Sequence, residues 1–154
     1  MRKIILPLVA SLAFATPALA NEARVEVRGG AIWLNGNTDA TYGAAAGYDF
    51  DLAPNTFAGV EVSGDKIDRT GSKVAFGMTG RLGLKAGSST KVFAAGGYTT
   101  KPCDLCEDSW HAGAGVEQGL GKGPVYLKAE YRHFFTGNGF PDSDAVVGGV
   151  GVRF

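Results

Sequence analysis

The last ten residues of the chain, AVVGGVGVRF, set Val146, Val150, Val152 and Phe154 on one face against Gly149, Gly151 and Arg153 on the other, and the sequence then stops on the aromatic. Alternation with a period of two marks a strand with two unlike faces. A strand whose apolar face meets hydrocarbon cannot stand alone. Every backbone N–H and C=O there must find an internal partner, which leaves only helices and closed barrels as spanning structures.

The same alternation recurs seven more times. The first segment, Ala23 to Leu34, opposes Val25, Val27, Ala31 and Trp33 to Arg24, Glu26, Arg28 and Gly30, and the second, Thr41 to Leu52, opposes Tyr42, Ala44, Ala46, Tyr48 and Phe50 to Gly43, Gly47 and Asp49. Thr56 to Ser63, Lys73 to Lys85, Lys91 to Thr99, Ser109 to Gly119 and Val125 to Phe135 follow the same rule, with Ala145 to Phe154 the eighth. Eight strands of about ten residues with their turns account for the chain after its leader. The fold class expected is therefore all-β, an eight-stranded, antiparallel, up-and-down transmembrane barrel.

Arg2 and Lys3, the apolar stretch from Ile4 to Phe14, and Ala18-Leu19-Ala20 read as a secretory signal peptide over residues 1–20, cleaved after Ala20. Pro7 and Pro17 interrupt the apolar run, which is shorter than the roughly 20 residues of a spanning helix. Residues 21–154 are then the barrel domain. Losing Arg2 and Lys3 leaves that domain two charges negative, so nothing electrostatic points to nucleic acid. All 24 glycines fall in it, which suits neither long helices nor a large apolar core but suits a narrow, crowded interior.

With the first strand running from periplasm to exterior, positions 53–55, 86–89 and 120–124 are short periplasmic turns. Positions 35–40, 64–72, 100–108 and 136–143 become longer polar outer loops. The aromatics then sort by depth, with Trp33, Tyr42, Tyr98, Trp110 and Tyr131 at the outer interface and Tyr48, Phe50 and Phe154 at the inner one. The inward faces collect Glu26, Arg28, Asp49, Glu61, Arg81, Lys85, Glu117, Lys128, Glu130, Arg132 and Arg153, with glycine or alanine between them. Eight strands enclose a space that side chains can just fill, so these groups are expected to pair as a structural polar core rather than line a channel. A narrow passive pore is the alternative.

Cys103 and Cys106, the only cysteines, lie in the third outer loop and are expected to form a disulfide, as exported cysteine pairs do. Asp104, Glu107 and Asp108 would raise rather than lower a thiol pKa, which argues against redox chemistry, and no second Cys-x-x-Cys supports a metal site. His111 and His133 read as polar rim residues. Gly119-Leu120-Gly121-Lys122-Gly123-Pro124 joins two strands with no helix after it, so it is no phosphate loop. No cofactor and no catalytic residue is expected.

Lys91 to Tyr98, His111 to Glu117, Leu127 to Arg132 and Val150 to Phe154 resemble the fifth to eighth strands of the opacity-type, OmpA-like outer-membrane β-barrel family, and the resemblance covers residues 21–154. It implies an outer-membrane location, contact with outer-membrane lipid, insertion by the barrel-assembly machinery through Val150, Val152 and Phe154, and roles from envelope structure to adhesion. Short outer loops depart from the adhesin pattern, and a monomer is expected. Lipid A deacylases are similar small barrels with a His-x-Ser-Asn motif near the end of strand seven. Here His133-Phe134-Phe135-Thr136 has no serine at that spacing and no glutamate follows Glu130, so hydrolysis lacks its nucleophile and orienting acid. A soluble periplasmic ligand-binding barrel would not need aromatic rings at both rims of an apolar belt.

Overall fold

All eight alternating segments are strands, and they run β1 (Glu22–Leu34), β2 (Asn37–Ala53), β3 (Thr56–Ile67), β4 (Ala75–Ala86), β5 (Thr90–Thr99), β6 (Ser109–Gly119), β7 (Val125–Thr136) and β8 (Ser143–Arg153) in the computed structural model. The structure describes residues 21–154, so the expected signal peptide and its cleavage after Ala20 lie outside the described residues. Each strand pairs antiparallel with its sequence neighbour, and β8 pairs with β1 to close the barrel. The seam runs from Arg24 opposite Arg153 to Trp33 opposite Asp144. Beyond its last ladder pair, the N–H of Phe154 donates to the Ala23 carbonyl (2.9 Å) and the N–H of Ala23 to the Phe154 carbonyl (3.0 Å). Among the described residues no edge strand remains to template aggregation.

The start of β1, the end of β8 and the turns after β2, β4 and β6 lie at one end, here the turn end; the connections after β1, β3, β5 and β7 form the loop end. Two of the expected outer loops are shorter than the sequence reading made them. Positions 35–40 contain only a two-residue turn, in which Asn35 (φ 51°) and Gly36 (φ 77°) both adopt left-handed backbone. Asn-Gly is the dipeptide a type I′ hairpin demands, because its twist matches that of the strands it joins. β3 likewise continues through Ser63 to Ile67, which carries Asp65 onto the inner face.

Outward positions expose Val27, Val62, Phe76, Met78, Leu82 and Leu84, each more than half accessible, while the positions between them are buried. Toward the loop end the outer face carries Trp33, Tyr42, Tyr98, Trp110 and Tyr131, and toward the turn end Tyr48, Phe50 and Phe154. Tyr98 and Trp110 are cross-strand partners that meet edge to face at 5.4 Å, and the Tyr48 and Phe50 rings are 4.9 Å apart.

Inward glycines make room for the side chains that fill the barrel. A Cβ on Gly59 would lie 2.3 Å from Asp49 Oδ1, one on Gly47 2.7 Å from Arg24 Nη2, one on Gly115 2.5 Å from the Phe93 ring and one on Gly151 2.4 Å from the Tyr126 ring. At Gly113 the obstacle is backbone, the Tyr131 carbonyl oxygen at 2.0 Å. Gly113→Ala should therefore destabilise the barrel by about 1–3 kcal/mol, as overpacking does. Gly80→Ala, with its nearest neighbour at 3.8 Å, should stay within about 0.5 kcal/mol. Urea unfolding of the folded band on unheated gels measures both.

Candidate functional site

The lumen is occupied by a continuous ionic network with Glu61 and Asp49 as its hubs. Glu61 Oε1 accepts from Arg28 Nη1 (2.8 Å) and Arg132 Nη2 (3.0 Å), while Oε2 lies 2.8 Å from Arg24 Nη2 and accepts from Lys128 Nζ (3.3 Å). Asp49 accepts from Arg81 through both Nε (2.8 Å) and Nη2 and from Lys91 Nζ (2.9 Å). Arg81 Nη1 continues to Glu117 (3.0 Å), which Arg153 Nη2 approaches at 3.4 Å. Lys128 pairs with Glu26 and Glu130, Arg132 Nε donates to Glu130, and the Tyr126 hydroxyl donates to Glu26 (2.9 Å).

At or inside the lumen, the cations Arg24, Arg28, Arg81, Lys85, Lys91, Lys128, Arg132 and Arg153 equal in number the anions Glu22, Glu26, Asp49, Asp51, Glu61, Asp65, Glu117 and Glu130. A buried charge costs several kcal/mol unless paired and hydrogen-bonded, so this balance is what allows the chain to close around them. Toward the turn end, aromatic rings share the load. The Arg81 guanidinium lies 5.2 Å from the Phe57 ring centre and 5.0 Å from that of Phe93, Lys91 Nζ lies 5.1 Å from Phe57, and Arg153 lies 5.1 Å from Tyr126.

Every residue of the expected interior set faces this space, but two sit at its turn-end rim. Lys85 reaches the half-exposed Asp51 (2.5 Å), and Arg153 is shared between Glu22 and Glu117. Two central cations were missing from that set. Arg24, 1% exposed, and Lys91, 5% exposed, share the parity of Glu26 and Phe93, so the alternation itself carries the signal that places them inside. Asp65 was missed because its stretch reads as loop, and Glu22 and Asp51 because they lie at strand ends. Arg24 is held by charge more than by hydrogen bonds. Glu61, Glu26 and Asp49 surround it at 2.8, 3.5 and 3.7 Å, none in hydrogen-bond geometry.

The histidines separate. His111 is buried, with Nε2 2.9 Å from Thr79 Oγ1 and Nδ1 3.0 Å from Thr99 Oγ1, so it belongs to the packed interior rather than the rim. His133 faces outward near the loop end, Nδ1 2.8 Å from Asp144. Among the described residues no three His, Cys, Asp or Glu side chains are placed to hold a metal ion.

Cys103 and Cys106 are joined in a disulfide, with their Cα atoms 5.0 Å apart. Their loop is tied to the β3–β4 connection, where Lys73 pairs with Asp104 and the Lys73 N–H donates to the Pro102 carbonyl (2.7 Å). It is tied to the barrel rim through Asp108, which accepts from the Tyr98 hydroxyl (2.5 Å) and the Lys101 N–H (2.7 Å).

No protein-family model matches the chain, and no curated protein matches it in sequence. Solved structures do match in fold. The N-terminal β-barrel domain of Pseudomonas aeruginosa OprF superposes with a TM-score of 0.61 at 13% identity, covering 85% of this chain and 97% of that one. Neisserial surface protein A (TM-score 0.56, 12% identity) and Ail, the attachment invasion locus protein of Yersinia pestis (0.55, 12%), each cover 87% of this chain and are themselves covered to 97%. The chain thus has the closed eight-stranded architecture of outer-membrane barrels.

Glu61→Ala would take from Arg24, Arg28, Lys128 and Arg132 the carboxylate they share and leave that cluster one negative charge short, which should cost about 3–5 kcal/mol, and Glu117→Ala and Glu130→Ala a few kcal/mol. Lys85→Ala, at a hydrated rim, should cost under about 1 kcal/mol. Urea titration in a fixed detergent orders the four. The bonds from Tyr98 and Lys101 hold the Asp108 carboxyl below the usual aspartate range. Its contribution to loop order is complete above the ordinary value of about 3.9 and is lost as pH falls through its lower folded value. The Lys101 amide resonance should titrate with a midpoint below 3.9 in NMR spectra, and Asp108→Asn should abolish that titration.

Proposed function

We propose that this chain is a non-enzymatic outer-membrane barrel of the opacity-type kind, a structural or surface-interaction component of the cell envelope whose lumen is closed to ions. One observation carries the reading: the molecule is inverted, with charges paired inside and large apolar side chains exposed outside. Exposed apolar side chains on every strand, among them Val27, Val62, Leu82, Val116, Leu127 and Val150, match the outward band of a membrane barrel rather than the scattered apolar residues of a surface in water. The rings at both ends of that band supply interfacial girdles.

In this reading the turn end is periplasmic and the loop end faces outward. The barrel works as a monomer in outer-membrane lipid, and the barrel-assembly machinery inserts it through Val150, Val152 and Phe154. Its role is structural or one of surface interaction. The sequence around His133 lacks the serine that acyl hydrolysis would need at that spacing, and central carboxylates that each hold several cations support a filled lumen over a channel.

Reconstitution into planar bilayers, with gel mobility recorded before and after heating, tests the proposal. A heat-sensitive, fast-running form without current steps is expected. Steady small conductance would replace the closed barrel with a narrow pore, and failure to enter lipid would return the chain to a soluble periplasmic role.

A further inference from the structure

The ionic filling stops short of the loop end. Above Arg28 and Arg132 the inward face becomes more apolar, through Ile32, Leu34, Ile67 and Phe134, edged by Thr99 and Glu107, and forms a partly open cavity of about 170 Å³. Pro102, next to the disulfide, and Phe140 and Pro141 of the β7–β8 loop line its loop-end mouth. No strand parity requires this change. Inward positions elsewhere along β1 and β7 carry Arg24, Glu26, Lys128 and Glu130, yet at the loop end the same parity carries Ile32, Leu34 and Phe134.

A chamber with aliphatic and aromatic walls and a polar edge suits a molecule with an apolar body and one polar end. A cavity of about 150 Å³ lined by Leu, Ile and Phe in another protein stays dry and takes up a small hydrocarbon. The floor here adds a free acceptor position. Asp65 is a quarter exposed; its Oδ2 accepts from Ser63 Oγ (3.0 Å) and Arg28 Nη2, whereas Oδ1 accepts only from Arg28 Nε (2.8 Å). A carboxylate oxygen has two acceptor positions, so Oδ1 has room for one more donor. Because the cations below are already matched by anions, the floor offers no net attraction to an anionic ligand.

We propose that this chamber binds a small uncharged amphiphile, one ring or a short chain bearing a hydroxyl, with its apolar body against Ile32, Ile67 and Phe134 and its hydroxyl donating to Asp65. The site requires neither conduction nor catalysis, so it stands apart from the envelope role proposed above.

Ile32 and Ile67 are the only isoleucines in residues 21–154, and both line the chamber. Their ¹³C-methyl resonances, in protein isolated from membranes and reconstituted in nanodiscs, therefore report on the chamber directly. Titration with 4-methylphenol should shift both in a saturable way. Ala145→Phe, which fills the chamber, should weaken the response by about tenfold or more. Ala75→Leu serves the same purpose should the larger side chain block folding, which the spectrum itself reveals. The charged counterpart 4-methylbenzoate should leave both methyls unmoved.

A linear response shared by the outward methyls of Leu82 and Leu84 would mean partition into lipid and overturn the site. An equal response to 4-methylbenzoate would overturn the ligand class, and undiminished binding in a folded, filled variant would overturn the location. Each of these can fail while the barrel remains heat-modifiable and non-conducting, so the two proposals are separable.

Discussion

Pairing of charge inside a narrow lumen filled by side chains is the constraint on which this protein rests. Glu61 alone contacts Arg24, Arg28, Lys128 and Arg132, which reach it from β1 and β7 while it stands on β3. Such bonds cross the lumen rather than run along its wall. They hold opposite sides of the barrel at a set spacing, something the ladder hydrogen bonds between neighbouring strands cannot do. The attraction is strong because the medium is of low dielectric, and for the same reason any unmatched group would be expensive.

Glycine is the complement of that network. Several of the inward side chains have a neighbour without a Cβ, as Gly59 is to Asp49, Gly47 to Arg24 and Gly151 to Tyr126. The arrangement is graded along the axis, with arginine and lysine against aromatic rings near the turn end, ion pairs through the middle, and aliphatic walls at the loop end. One alternation of small and large residues thus builds three different interiors.

Much of the fold was legible in the residues because strand alternation is a local property: side chains at i and i+2 share a face whatever the rest of the chain does. That parity yields all eight strands and their closure in order, and it places Glu26, Arg28, Asp49 and Glu61 inside. It also places Arg24 and Lys91 there, although weighing each segment from its clearest centre passed over residues near strand ends. Asn35-Gly36 carried a turn signal that the polarity of positions 37–40 obscured, since an outward-projecting hairpin can be polar and still be paired.

By itself, then, the sequence determined the barrel, its inverted polarity, the aromatic rims and the loop that holds Cys103 and Cys106, all consequences of period, composition and proximity along the chain. Tertiary structure decided which charge meets which, that His111 sits between Thr79 and Thr99 rather than at the rim, and that Ile32, Ile67 and Phe134 from three separate strands share one chamber. The physical reason is that parity assigns a face but not a height or an angle around the axis. Those follow only once β8 meets β1 in register and the tilt of the strands sets which inward residues face one another across the lumen.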